Sequence, residues 1–157
     1  MSVLNIVKNP TKSLRDKSKE IPLAEIKSTR VQKLIDDLIE TKNADNGIGI
    51  AAPQVGVNER LIIVDLATGP AAFINPRITK GSVRKMETEE GCLSVPGIFG
   101  YVKRHRKVHV KALDREGQKV KIDAKGLEAI IFQHEIDHLD GILFIDKVEK
   151  FTNPPLL

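Results

Sequence analysis

The run His134-Glu135-Ile136-Asp137-His138 sets two imidazoles four positions apart, with a carboxylate beside the first. On a helix that spacing puts both rings on one face, about 5–6 Å apart, where they can share one divalent ion. Glu135 then lies where it can handle a proton of water activated by that ion. The alternative is a pair of ordinary helix histidines, and the Glu between them together with the helical pattern weighs for the metal. His105 and His109 repeat the spacing, but Arg106 follows the first and the neighbourhood is cationic. They read as strand or surface histidines without a metal role.

An open catalytic metal site usually has three protein ligands plus water. Beyond His138 the only acids are Asp140, Asp146 and Glu149, and no His follows. The other candidate is the chain's one cysteine, Cys92, within Glu90-Gly91-Cys92-Leu93-Ser94. A thiolate is a strong ligand that a metal keeps deprotonated at neutral pH. The default for a lone Cys is a small buried hydrophobe, and spacing alone leaves that open. A third segment, Gly47-Ile48-Gly49-Ile50-Ala51-Ala52-Pro53-Gln54-Val55-Gly56, is rich in small residues that admit close backbone approach. It is no nucleotide loop: Ala52 breaks Gly-x-Gly-x-x-Gly, and there is no Gly-Lys-Ser/Thr.

These segments need elements to position them. Val31, Leu34, Ile35, Leu38 and Ile39 share a helical face after a capping box at Thr29 and Gln32, which predicts a helix over 30–43 stopping at Asn46-Gly47. Leu61-Ile62-Ile63-Val64 and Ala72-Phe73-Ile74 read as strands, the second ending at Asn75-Pro76. Val108–Leu113 and Val120–Ile122 alternate around Asp114-Arg115-Glu116-Gly117, which predicts a hairpin. Leu127, Ile130, Ile131, His134 and His138 share a face of a second helix over 125–139, closed by Asp140-Gly141. Strands, a helix, more strands and a late helix predict an α+β fold.

The 157 residues suffice for one domain. One cysteine excludes a disulfide-stapled scaffold and fits a reducing compartment. No signal-peptide core, transit pattern or membrane-length apolar run is present. We expect residues 1–150 to form the domain and 151–157 a short extended tail, given Pro154-Pro155. Residues 103–125 hold nine basic against three acidic residues, a local net of +6 where the whole chain has +4. The favoured reading is a solvated hairpin face. The other is a nucleic-acid patch, which with only Tyr101 nearby has no base-stacking platform.

Together, Gly-Ile-Gly-Ile-Ala-Ala-Pro-Gln (47–54), Glu-Gly-Cys-Leu-Ser (90–94) and Gln-His-Glu-Ile-Asp-His-Leu-Asp-Gly (133–141) resemble, in order, the three signature motifs of the peptide deformylases. The resemblance runs from an N-terminal strand to about Lys150. It implies mixed or antiparallel sheets packed around a central helix that carries the histidines, with an N-terminal helix besides. It also implies hydrolysis of the formyl group from formyl-methionyl nascent polypeptides, with release of formate, in a bacterial-type cytoplasm and with no membrane partner.

The metal ligands would be Cys92, His134 and His138, holding one divalent ion. By resemblance the ion is Fe²⁺, with Zn²⁺, Ni²⁺ or Co²⁺ able to replace it, whereas ligand chemistry alone points to zinc. Metal-bound hydroxide would attack the formyl carbonyl, Glu135 would shuttle the proton, and Gln54 with the Leu93 N–H would stabilise the oxyanion. Ile48, Leu127 and Ile130 would line the methionine pocket, and Gly49 and Gly91 would bond the peptide backbone. Arg104 would pair with Asp137 in support of the metal helix. Two departures stand out: Phe99 replaces an arginine some members carry at the pocket mouth, and no basic C-terminal helix for ribosome docking follows, so the resemblance keeps the ribosome as a partner only if the +6 region takes that helix's place. An internal peptidase is disfavoured by the Cys ligand, and a non-catalytic relative by intact Glu135, Gln54 and Cys92.

Overall fold

Val31, Ile35 and Leu38 turn one side of helix α1 (Thr29–Ala44) onto a core shared with Ile6, Ile50, Ile63 and Ile74. The structure, a computed structural model, describes residues 1–152. Ser28, not Thr29, caps this helix, its Oγ accepting from the Val31 N–H at 3.3 Å. The expected capping box is absent because Gln32 is drawn elsewhere: its amide donates to the carbonyls of Ile26 and Arg115, each at 2.8 Å. Past the helix Asn46, rather than Gly47, takes the left-handed backbone with φ 55°, a conformation Asn tolerates better than most residues.

Eight strands follow: β1 (Gly49–Ala51), β2 (Leu61–Leu66), β3 (Gly69–Gly81), β4 (Lys85–Cys92), β5 (Val95–His105), β6 (Lys107–Leu113), β7 (Lys119–Lys125) and β8 (Val148–Phe151). They form two antiparallel sheets, β1-β2-β3-β6-β7 and β4-β5-β8. Helix α2 (Leu127–Leu139) lies between β7 and β8 in the chain and carries the two histidines. Its Ala129, Ile131, Phe132, Ile136 and Leu139 pack on Ile62, Val64, Phe73, Val108 and Val110 of the larger sheet. Burying each large aliphatic or aromatic side chain contributes about 1.5–3 kcal/mol, so α2 is a rigid platform. Gln133 ties it to the smaller sheet, accepting from the His105 N–H and donating to the His105 carbonyl, both at 2.9 Å. The α+β class and the helix set between antiparallel sheets are as expected.

Four boundaries differ from expectation. β3 runs through Asn75-Pro76, where Asn75 has φ 51° and the register shifts between Ile74 and Arg77. This bulge absorbs the proline that a regular ladder would reject. α2 begins at Leu127, because Lys125 closes β7 and Gly126 turns the chain with φ 60°. Residues 1–7 form no strand; single bonds hold them, from the Leu4 N–H to Thr41 Oγ1 at 2.7 Å and from the Val7 N–H to the Gln54 carbonyl at 2.8 Å. Phe151 pairs with Gly100, so the smaller sheet extends past residue 150. The rest of the expected tail, 153–157, lies outside the described residues. No helix among the described residues is long and apolar enough to cross a membrane.

Candidate metal centre

Three segments meet where the end of β4, the turn after β1 and the middle of α2 converge. The ligand atoms of Cys92, His134 and His138 all lie within 4.8 Å of one another. Cys92 Sγ is 3.4 Å from His138 Nε2, and the two imidazoles cross edge to face with centroids 5.1 Å apart. Tetrahedral ligands at ordinary metal–sulfur and metal–nitrogen bond lengths sit about 3.4–3.8 Å apart, so this edge suits one shared ion. A sulfur and two imidazoles form a donor set for a borderline divalent metal. The three residues fit such an ion.

The histidines are held from behind. His134 Nδ1 lies 2.8 Å from Glu90 Oε1, which leaves Nε2 as the nitrogen available to a metal ion. Arg104 grips Glu90 with two bonds, Nε to Oε2 at 2.8 Å and Nη2 to Oε1 at 2.9 Å. Its third arm reaches Asp137 Oδ2 at 2.6 Å, the expected pairing, and Lys147 meets the same oxygen at 3.0 Å. Burial alone would raise the Glu90 carboxyl, but bonds from Arg104 and His134 outweigh it and hold it down at about 2. Burial works against charge on His134 as well, yet bonds to Cys92 and Glu90 hold it up at about 10. A proton there must leave when Nε2 ligates a metal. Burial keeps His138 neutral, well below the ordinary imidazole range, as a ligand must be.

Glu135 projects beside the ligands, and burial pushes its carboxyl up to about 7. Its Oε2 is buried with no hydrogen-bond partner among the described residues, so it can exchange a proton with a bound molecule. Gln54 sits on the short 3₁₀ turn Ala52–Val55. The Ala51 N–H donates to Gln54 Oε1 at 2.9 Å, which fixes the amide with its NH₂ inward. That NH₂ lies 3.2 Å from Ser94 Oγ and 3.6 Å from Cys92 Sγ.

These groups open into a cavity of about 640 Å³. Its wall includes Ile48, Gly49, Gln54, Gly91, Cys92, Leu93, Leu127, Ile130, His134 and Glu135, while His138 is buried behind it. Every sequence-predicted site residue is thus brought to one place. Phe99, at the mouth, lies against Gly91, where a Cβ would stand 2.6 Å from its ring. Sequence reasoning gave no role to Glu90, Ser94 or Lys8, whose Nζ donates to the Leu93 carbonyl at 3.2 Å. Each works through a partner distant in the chain, so no local pattern marks it. His105 and His109 lie elsewhere, His105 Nδ1 on the Ser82 carbonyl and His109 beside Asp123.

Residues 3–153 match the family described as polypeptide deformylase. The peptide deformylase of Symbiobacterium thermophilum is 53% identical over 150 residues, covering 94% of this chain and 67% of that protein. That of Acetivibrio thermocellus is 45% identical over 153 residues, covering 98% and 88%. The peptide deformylase structure from Thermotoga maritima superposes with a TM-score of 0.91 at 36% identity, covering 95% of this chain and 99% of that one. A structure from Ehrlichia chaffeensis, in complex with actinonin, gives 0.89 at 41% identity, covering 96% and 91%.

Proposed function

The chain belongs to the polypeptide deformylase family, metal-dependent hydrolases that remove an N-terminal formyl group, and we propose that Cys92, His134 and His138 hold its metal and that Glu135 moves the proton. The observation that carries this reading is the Cys-His-His cluster with an unpartnered buried carboxylate beside it, at the base of an apolar cavity. When bound, the ion supplies a Lewis acid that lowers the pKa of water toward neutrality. By resemblance the resident ion is Fe²⁺; the same donors suit Zn²⁺, Ni²⁺ or Co²⁺.

Glu135 accepts a proton from the water that adds to the formyl carbon. As the C–N bond breaks, Glu135 returns the proton to the departing amine, and formate and a free N-terminus result. The Gln54 NH₂ and the Leu93 N–H donate to the oxygen on which negative charge develops. Gln54 is pre-set for this by the Ala51 N–H, so little reorganisation is needed. Removing one such donor typically costs about 3–4 kcal/mol of transition-state stabilisation. Ile48, Leu127 and Ile130 take the methionine side chain, and Gly49 and Gly91 bond its backbone. The catalytic domain runs from residue 1 through the end of β8 at Phe151, and the thiolate ligand suits a reducing cytoplasm.

The test is anaerobic formate release from formyl-Met-Ala-Ser with Fe²⁺ supplied. Glu135→Gln should keep the metal and lose at least about 100-fold in kcat. Cys92→Ser should lose metal and activity together. Full activity in Glu135→Gln, or an inactive wild type with every metal tried, overturns the reading.

A further inference from the structure

One face of the larger sheet carries charge that the catalytic pocket does not use. Lys107, His109 and Lys111 on β6, and Lys119, Lys121, Asp123 and Lys125 on β7, alternate outward and are exposed, as are Arg77 and Lys80 of β3. The register sets cation against cation: Lys107 faces Lys125, and Lys111 faces Lys121 on one side and Arg77 on the other. Like charges directly opposite across antiparallel strands are destabilising. The acid on these rows, Asp123, is taken by His109. Arg77, Lys80, Lys107, Lys111, Lys119, Lys121 and Lys125 make no ion pair among the described residues.

Lysines on an edge strand discourage sheet-to-sheet pairing, which accounts for β7. It does not account for Lys107 and Lys111, because β6 lies between β3 and β7. A flat row of unneutralised cations that repel one another is relieved by a multivalent anion. Inward residues of the same strands, Val108, Val110, Ala112 and Ala124, pack toward α2. A partner on the outer face therefore leaves the pocket open.

We infer that this face docks on the phosphate backbone of double-stranded RNA. Among the described residues its outward rows hold no Phe, Tyr or Trp on which unpaired bases could stack, and the single imidazole, His109, is engaged with Asp123. The apolar residues of these strands, Ile78, Val120 and Ile122, are half-buried and none stands out to enter a bilayer. What remains is sequence-independent attraction to regularly spaced phosphates. The choice of RNA rests on the proposed function, since nascent polypeptides emerge from an RNA-rich particle.

Fluorescence anisotropy with a labelled 20-base-pair RNA duplex tests this on the metal-loaded protein. Binding should weaken with salt, log Kd rising against log salt with a slope of about 3–6. Replacing Lys107, Lys111, Lys121 and Lys125 with Glu should weaken binding at least about tenfold, and replacement with Gln should weaken it less. Formate release from a short formyl-Met peptide should be unchanged in both, which also reports that the fold is intact. The same reversal at Lys12, Lys17 and Lys19, which lie on the N-terminal segment outside these strands, should leave most of the affinity.

Salt-insensitive or absent binding, equal loss in the control variant, or tighter binding to anionic vesicles than to the duplex overturns the inference. An inactive wild type that still binds the duplex would count against the catalytic reading alone.

Discussion

Glu90 Oε1 lies 2.8 Å from Nδ1 of His134 while Arg104 holds both oxygens of the same carboxylate. The carboxylate fixes which imidazole nitrogen carries hydrogen and turns Nε2 toward Cys92 and His138. Arg104 keeps Glu90 ionised despite burial and, through Asp137, ties the smaller sheet to α2. The orientation of this candidate ligand thus depends on a partner 44 residues away from His134.

Glu90→Gln keeps the shape but loses the charge, so the imidazole is less basic and its partner amide must choose one orientation. Partners of this kind are typically worth about 10–100-fold in metal affinity. Chelator competition should show a loss in that range, with kcat at saturating metal falling less. Unchanged affinity would mean that Glu90 is only a structural anion.

Gly49 is required by the closeness of β1 to α2. A Cβ there would stand 2.8 Å from Glu135 Oε1 and 2.9 Å from Ile131 Cγ2. The carboxylate end can move, whereas Ile131 is buried and resists. Gly49→Ala should therefore displace Glu135 and reduce kcat by about 10–100-fold, since small misplacements are costly. Metal content, measured by elemental analysis, should stay at the wild-type level; loss of the metal would point to wider collapse.

What could be read from the chain followed the range of its interactions. α2 was legible because its ligands and its apolar residues obey one helical period. The β6–β7 hairpin was legible because Val108, Val110 and Ala112 alternate with charge and Asp114 Oδ1 closes the turn on the N–H groups of Glu116 and Gln118. β4 was not, since Met86-Glu87-Thr88-Glu89-Glu90 carries acids where strands usually carry apolar residues, and its pairing comes from β5. The candidate ligand triad followed from a resemblance, because spacing alone cannot bring Cys92 to α2. Glu90 escaped for the same reason: its burial is tolerable only beside Arg104, which the fold supplies.

Lys42 is a buried cation, 1% exposed, placed under the loop that enters the cavity. Its Nζ lies 2.8 Å from Asp65 Oδ1 and donates to Asn43 Oδ1 at 2.7 Å and the Gly47 carbonyl at 3.1 Å. The Asp65 N–H bonds the Ile48 carbonyl at 3.0 Å, so both ends of the pair hold residues 47 and 48. Lys42→Met should cost about 1–3 kcal/mol, less than a fully buried pair because Asp65 is partly exposed. Denaturant melts should record that loss, and KM for formyl-Met peptides should rise more than kcat falls. A stability loss with an unchanged KM would assign Lys42 to the core alone.

Asp37 gives the fold an acid-sensitive anchor remote from the metal. Its carboxylate accepts from Lys33 Nζ at 2.6 Å and from the Ser2 N–H at 2.8 Å. The Lys33 bond is the largest influence, opposed by burial and helped by Ser2, and the carboxyl is held below its ordinary 3.8. The folded state thus binds this proton less readily than the unfolded chain does. The stabilisation is complete well above pH 3.8, where both states are ionised, and is lost as pH falls below that value toward the folded one. Asp37→Asn should lower stability at neutral pH and flatten the acid limb of a stability–pH curve. Denaturant melts of metal-free protein between about pH 3 and 7 separate this from acid release of the metal. Parallel curves for the two proteins would assign the acid sensitivity to other carboxylates, Asp146 with its Arg15 pair first among them.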